Sequence, residues 1–152
     1  MSTLKEGDKV PDFEAKDQDN NEVKLSDYKG QKLIVFFYPK ASTPGCTAEA
    51  CNLSDNYKEL QEAGFSILGV SADSQKKQSN FKEKYKFPFP LLADEDKKVI
   101  ETFGVWGPKK FMGKEYEGIN RTTFLIDEQG TVERVISKVK TKDHASQILE
   151  SI

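Results

Sequence analysis

Residues 33–38, Leu-Ile-Val-Phe-Phe-Tyr, form an uninterrupted run of apolar and aromatic side chains between Gly30 and Pro39. The run is far too short to cross a bilayer. It is rich in β-branched and aromatic residues, and no polar residue marks a side that faces solvent. These properties are typical of a strand in the middle of a sheet that is covered on both faces. The run therefore predicts a sheet with helices packed on both sides.

The rest of the chain supplies strands and helices in alternation around this run. Turn residues and changes in hydrophobic period predict strands at 10–15, 22–25, 33–38, 65–71, 90–93, 122–127 and 132–137. Helices are expected from Cys46 to just before Gly64 and at 74–85, 97–103 and 143–152. This order predicts an α/β fold with a central mixed β-sheet flanked by helices. The arrangement resembles the thioredoxin-like fold with an N-terminal β-hairpin extension.

Composition narrows the class of protein further. The 152 residues are expected to form one domain, 1–152. The net charge is −2 and the lysines are interspersed with glutamates, so neither nucleic acid nor a membrane is an expected partner. The first residues contain no apolar stretch that could serve as a secretory signal, so we expect a soluble, cytoplasmic protein. Two cysteines in a reducing compartment are more often catalytic, regulatory or metal-bound than permanently cross-linked.

Cys46 occupies a position in the sequence that favours a reactive thiolate. It follows the predicted central strand and a Pro44-Gly45 bend, and it falls in the first turn of the next helix. Free amide N–H groups and the positive end of the helix dipole at that point favour the thiolate, which is the reactive form. Ligands of open α/β sheets also bind at this edge of the sheet. The alternative is that Cys46 is a small buried apolar residue.

The two arginines of the chain differ in their suitability as a partner for such a thiolate. Arg121 immediately precedes a predicted core strand and is the candidate for stabilising the thiolate. Arg134 lies within the predicted terminal hairpin and is expected to be solvated.

Thr43 and Glu49 flank Cys46 at three residues on either side. The Thr43 hydroxyl could contact a ligand, hold the turn, or do both. Glu49 shares a helix face with Cys46 and would repel a thiolate unless it pairs with the arginine and orients it. The alternative for Glu49 is an ordinary position on the helix surface.

At these residues the sequence resembles the peroxiredoxin family, whose active-site loop reads Pro-x-x-x-Thr/Ser-x-x-Cys and is matched here by Pro39, Thr43 and Cys46. The string Thr-Pro-Gly-Cys-Thr-x-Glu, with a second cysteine five positions after the first, is similar to the bacterioferritin-comigratory-protein or peroxiredoxin Q branch. Residues 103–107 and 121–127 also match, so the resemblance covers roughly residues 5 to 150.

The resemblance implies a thiol-dependent peroxidase that acts in antioxidant defence without a cofactor or a metal. By that resemblance Cys46 attacks the hydroperoxide, and Thr43 and Arg121 hold it and stabilise the developing charge. Pro39 would shield the thiolate from water, and Glu49 would orient Arg121. Cys51 would resolve the sulfenic acid as a disulfide within one chain, and thioredoxin or a similar dithiol protein would reduce that disulfide. The resemblance also leads us to expect a monomer.

The spacing of the two cysteines sets a geometric condition on that disulfide. Five residues of helix place the Cα atoms of Cys46 and Cys51 about 8 to 9 Å apart. A disulfide requires Cα atoms closer than about 7 Å. The first turns of an intact helix would therefore have to unwind in each catalytic cycle.

Three other functions compete with this hypothesis. A dithiol–disulfide oxidoreductase of the thioredoxin kind requires Cys-x-x-Cys, whereas four residues separate the cysteines here. A zinc site needs four ligands, and the chain offers two cysteines and His144, which is expected to be solvated at the start of the last helix. A redox sensor that passes its disulfide to one partner remains open, and peroxide turnover with a reductant would distinguish an enzyme from it.

Overall fold

The structure is a computed structural model that describes residues 3–152 and, among these, every side chain except that of Phe111. Its strands are β1 (Glu14–Lys16), β2 (Glu22–Lys24), β3 (Lys32–Phe37), β4 (Phe65–Ser71), β5 (Leu91–Ala93), β6 (Trp106–Phe111), β7 (Lys114–Ile119), β8 (Thr122–Ile126) and β9 (Val132–Ile136). Its α-helices are α1 (Pro44–Asp55), α2 (Tyr57–Glu62), α3 (Gln75–Tyr85), α4 (Lys98–Phe103) and α5 (His144–Ser151).

A five-stranded mixed sheet with the order β5-β4-β3-β8-β9 organises the molecule. Strand β3 is central: it runs parallel to β4 and antiparallel to β8. The predicted α/β fold with a mixed central sheet is confirmed, and β1 and β2 form the expected N-terminal hairpin as a separate antiparallel pair. Because β3 and β8 are antiparallel, the end of β3 meets the start of β8, and Phe37 pairs with Thr122.

Both faces of β3 are buried, as the apolar run predicted. On one face Ile34, Phe36 and Tyr38 join a cluster with residues of α1, α3 and α5. On the other face Leu33, Val35 and Phe37 pack with α4 and the N-terminal segment. Alternate residues of a strand point to opposite faces, so a run without polar residues builds two cores at once. The tight fit of this strand fixes the point at which the chain leaves the sheet toward α1.

The helix after β3 differs in two ways from the expectation. It begins at Pro44, because proline suits the first turn of a helix, and it is interrupted at Asn56. The Asn56 backbone N–H and side-chain amide both donate to the carbonyl of Asn52, at 3.2 and 2.8 Å. A side chain that competes for a helix carbonyl disturbs the regular ladder, so one predicted helix becomes α1 and α2.

The β6–β7 hairpin was not predicted. Its strands pair in register from Trp106 and Ile119 at the base to Phe111 and Lys114 at the tip. Strand β6 carries two adjacent lysines, β7 carries a lysine and two glutamates, and most of these side chains are exposed. Neither an alternating pattern nor an apolar run therefore marks the hairpin in the sequence.

Among residues 3–152, no helix combines the length and the apolar character that a membrane span requires.

Candidate active site

The segment between β3 and α1 is fixed at several points before it reaches Cys46. Tyr38 is fully buried, and its hydroxyl donates a hydrogen bond of 2.6 Å to Oε1 of Gln78. The backbone N–H of Ala41 donates to Asp73 at 2.7 Å, and the Ser71 hydroxyl donates to the same carboxylate oxygen. Pro39 lies between these two anchors and is half-buried. The loop therefore holds the start of α1 at the edge of the sheet.

Thr43 occupies the N-cap position of α1 without using its hydroxyl as a cap. The hydroxyl instead donates to the carbonyl of Lys40 at 2.7 Å and so closes the turn. The carbonyl of Thr43 accepts the N–H of Thr47 at 2.8 Å and begins the helix. Since its hydrogen is used within the loop, the Thr43 hydroxyl oxygen keeps lone pairs that can accept a hydrogen bond from a ligand.

Cys46 is the third residue of α1, and only 1% of its surface is exposed. One terminal nitrogen of Arg121 donates to its sulfur at 3.3 Å, and the other donates to Oε1 of Glu49 at 2.7 Å. A Cβ atom on Gly45 would lie 3.2 Å from the nitrogen that contacts the sulfur, so glycine leaves room for the guanidinium. The structure thus brings three of the residues singled out in the sequence into direct contact. Arg134 lies apart at the surface, where its side chain is about half exposed.

The expectation that His144 is solvated is wrong. The residue is completely buried, and its Nε2 lies 2.7 Å from the hydroxyl of Thr123 and 3.5 Å from Oε2 of Glu49. The start of α5 is pinned against α1 by Asn52, whose side chain accepts from the N–H of Ala145 at 2.7 Å and donates to a carbonyl in the preceding turn. This contact carries His144 into the interior.

The burial of His144 and its contact with Thr123 were not predicted, because a polar side chain at the start of a helix is usually exposed. One signal was present. Two threonines, Thr122 and Thr123, open a strand whose remaining residues are apolar, and a buried strand rarely carries polar side chains without a partner.

The charges at the site are strongly affected by burial. Burial raises the pKa of Glu49 to about 7, although Arg121 acts in the opposite direction. Burial lowers the pKa of His144 to about 4. Burial also disfavours a charged Arg121, but Cys46 and Glu49 outweigh it and keep the pKa of the guanidinium above its ordinary value. At neutral pH a positive Arg121 therefore stands against the Cys46 sulfur.

Cys51 lies farther along the same unbroken helix as a free, partly buried thiol. Burial raises the pKa of its thiol, with the carboxylate of Asp55 acting in the same direction. Within the described residues, two buried side-chain polar atoms lack a hydrogen-bond partner, and both lie between the two cysteines: the hydroxyl of Thr47 and Oε2 of Glu49. No cluster of three or more histidine, cysteine or acidic side chains suited to a metal ion occurs in the part of the chain that the structure describes.

A buried cysteine at the start of a helix, contacted by an arginine at the edge of a thioredoxin-like sheet, defines a thiol-based redox protein. Residues 6–135 match the AhpC/TSA family. The chain is 52% identical over 149 residues to peroxiredoxin Bcp of Escherichia coli K12, with 98% of this chain and 96% of the relative covered. It is 49% identical over 150 residues to peroxiredoxin Bcp of Bacillus subtilis, with 99% and 96% covered.

Solved structures agree with these relatives. Peroxidoxin BcpB of Mycobacterium tuberculosis superposes with a TM-score of 0.86 at 40% identity, covering 97% of this chain and 96% of that one. A peroxiredoxin Q of Xylella fastidiosa superposes with a TM-score of 0.92 at 30% identity, covering 99% and 96%. The chain therefore belongs to the AhpC/TSA family, among its Bcp and peroxiredoxin Q members, which are antioxidant thiol peroxidases.

The opposed pKa shifts of Glu49 and His144 predict how stability depends on pH. Between pH 4.5 and 6.5 the unfolded chain carries a proton on His144, whereas the folded protein carries it on Glu49. The two states bind the same number of protons, so the pair does not make the free energy of unfolding depend on pH in this range. In His144→Leu only Glu49 remains. Its raised pKa stabilises the fold below pH 4.5, and this contribution is lost as pH rises toward 7. The free energy of unfolding lost by the variant, relative to wild type, should grow by up to about 1.4 kcal/mol per pH unit.

Urea unfolding of both proteins at pH 4.5, 5.5 and 6.5 measures this difference. Carboxylates elsewhere in the chain contribute equally to both proteins and cancel. A difference that stays constant across the three pH values would contradict the assignment of the proton to Glu49.

Proposed function

We propose that the protein reduces hydrogen peroxide and organic hydroperoxides through Cys46, with Cys51 as the resolving thiol and a dithiol protein such as thioredoxin as the reductant. The observation that carries the proposal is the 3.3 Å contact between Arg121 and the Cys46 sulfur at the start of α1. The helix terminus and the guanidinium both favour the thiolate over the thiol.

In the first step the Cys46 thiolate attacks one oxygen of the hydroperoxide. A sulfur–oxygen bond forms, the oxygen–oxygen bond breaks, and the leaving alkoxide or hydroxide takes the electron pair and then a proton from solvent. The sulfur is oxidised to a sulfenic acid, and the peroxide is reduced to an alcohol or water. Arg121 stabilises the negative charge that moves from sulfur to the leaving oxygen.

Thr43 and Pro39 complete the substrate site in this proposal. The hydroxyl hydrogen of Thr43 is held by the carbonyl of Lys40, so its oxygen accepts the O–H of the bound hydroperoxide and orients it. Pro39 covers the approach to the sulfur with an apolar ring that offers no N–H, and so limits the access of water. The carboxyl group of Glu49 holds Arg121 through the 2.7 Å hydrogen bond at its other terminal nitrogen.

In the second step Cys51 attacks the sulfenic acid sulfur, a disulfide forms and water leaves. Both cysteines belong to α1, so residues 46–51 must leave helical geometry before the sulfurs can meet. The two unpartnered polar atoms of Thr47 and Glu49 lie in this segment, and exposing them to water would offset part of the cost of opening. Asn52, which is tied to α5, marks the end of the segment that opens.

Two further features of the proposal follow from the relatives and from the chemistry. The bacterioferritin comigratory protein of Xanthomonas campestris, a solved structure 37% identical to this chain, has alkyl peroxide reduction activity, which supports organic hydroperoxides as substrates here. A disulfide within one helix needs no second chain, so we infer that a monomer in the cytoplasm carries out the whole cycle.

Replacement of the attacking thiol tests the proposed function. Cys46→Ser should abolish peroxide consumption in an assay that follows NADPH with thioredoxin and its reductase, because serine cannot form the sulfenic acid. Cys51→Ser is the matched control and should consume about one equivalent of peroxide per chain before it stops. Substantial turnover by Cys46→Ser would overturn the proposal, and a stable mixed disulfide of the wild type with one partner, without turnover, would indicate a sensor.

Replacement of the arginine tests how the thiolate is activated. Arg121→Met keeps the length of the side chain but removes the charge, so it should lower the thiolate fraction of Cys46 and slow sulfenic acid formation by about a hundredfold. Arg134→Met is the control, since Arg134 is the other arginine of the chain and lies at the surface. Stopped-flow rates and thiolate absorbance should separate the two variants. Equal rates in both would mean that Arg121 has a structural role only.

Hydrogen exchange tests the opening of α1. The oxidised protein should lose amide protection from Thr47 to Cys51, while β3 and β8 keep theirs, because local opening leaves the sheet intact. Peroxide-treated Cys51→Ser is the control and should keep a protected helix, since it forms no internal disulfide. If the wild-type disulfide form retains protection throughout α1, Cys46 must be resolved by another subunit or by an external thiol.

A further inference from the structure

His144 is a buried group for which the reaction described above has no use. It is completely enclosed at the start of α5, and three side chains of other segments or turns approach its ring: Thr123, Gln147 and Glu49. Both nitrogens of a buried imidazole need hydrogen-bond partners. Gain or loss of one proton changes whether each nitrogen donates or accepts.

The neighbours determine which ring nitrogen carries hydrogen. The side-chain amide of Gln147 donates to the carbonyl of Lys138 at 2.8 Å, and its Oε1 accepts the N–H of Lys140 at 3.0 Å. The same Oε1 lies 2.9 Å from Nδ1 of His144. An amide oxygen can only accept, so Nδ1 carries the hydrogen. In the neutral ring Nε2 therefore presents a lone pair, which accepts the hydroxyl of Thr123 at 2.7 Å.

The second oxygen of Glu49 faces this same Nε2 at 3.5 Å. Two acceptors do not face each other in a buried site without a proton on one of them. The first oxygen of Glu49 accepts from Arg121, and the carboxyl group is fully buried. The Nε2 lone pair is already taken by Thr123, and Oε2 of Glu49 has no hydrogen-bond partner. A proton on Oε2 removes the repulsion between the two facing lone pairs and leaves the carboxyl group and the neutral ring without charge.

We propose that His144 is a positioning residue for peroxide reduction: its neutral ring faces Glu49, favours the protonated carboxyl group and thereby keeps a second negative charge away from the Cys46 thiolate. The inference rests on the proposed role of Cys46. An ionised Glu49 would neutralise the charge of Arg121 and would stand on the same helix face as the thiolate. With the proton in place, Glu49 still accepts from Arg121 and fixes its direction, but the positive charge remains available to the sulfur and to the peroxide.

The electrostatic surroundings agree with this geometry. Burial raises the pKa of Glu49 to about 7 and lowers that of His144 to about 4, so the proton resides on the carboxyl group and the ring is neutral. Arg121 is the charged group that acts on both: it lowers the pKa of Glu49 and that of His144, and it also contacts Cys46.

The test is the pH profile of the rate constant for sulfenic acid formation, measured by stopped flow with hydrogen peroxide from pH 5 to 9. The wild-type rate should decline above about pH 7, where Glu49 loses its proton. Thr123→Val removes the hydrogen bond that occupies the Nε2 lone pair, so the pair should hold its proton more tightly. The alkaline midpoint should move up by about half to one pH unit.

His144→Leu should shift the same midpoint in the opposite direction, because the Glu49 carboxylate no longer faces the Nε2 lone pair that disfavours it. Leu149→Ala is the control: it loosens the packing of α5 without touching the pair, and it should leave the midpoint unchanged. If His144→Leu does not fold, the upward shift in Thr123→Val alone still tests the proposal. A wild-type profile without an alkaline decline, or an unchanged midpoint in Thr123→Val, would overturn the role of His144. Peroxide turnover by Cys46→Ser would instead overturn the proposed function.

Discussion

The antiparallel pairing of β8 with β3 is the constraint on which the rest of the site depends. In an all-parallel sheet the residue before β8 would lie at the opposite edge from the end of β3. Here the pairing of Phe37 with Thr122 places Arg121 at the edge where the chain enters α1, and its guanidinium reaches the Cys46 sulfur. A reversal of one strand thus joins an arginine and a cysteine that are far apart in the sequence.

A buried chain of polar groups then connects this edge to the last helix. Arg121 contacts Glu49, Glu49 faces His144, and His144 is held by Thr123 and Gln147. Each group would be costly to bury alone, and each is stabilised by the next. The same connection places His144 of α5 beside the carboxyl group that holds the arginine.

The sequence allowed the sheet and the central residues of the site to be predicted because burial leaves a periodic trace. The apolar run at residues 33–38 predicts a buried central strand, and a cysteine that follows such a strand at the start of a helix has few roles other than chemistry or packing. The β6–β7 hairpin was missed because most of its charged side chains are exposed and leave no hydrophobic period. His144 was missed because its burial depends on a contact between α1 and α5 through Asn52, and no local pattern records a contact between distant segments.

The distance in sequence between Cys46 and its partners also has a consequence during synthesis. The thiol leaves the ribosome long before Arg121 and His144, and at ordinary rates of translation the interval to His144 is about 5 to 20 s. Throughout that interval the nascent chain carries Cys46 without its guanidinium and without the buried polar groups behind it. The contact between Cys46 and Arg121 is therefore assembled late, and the incomplete chain presents the cysteine without its arginine.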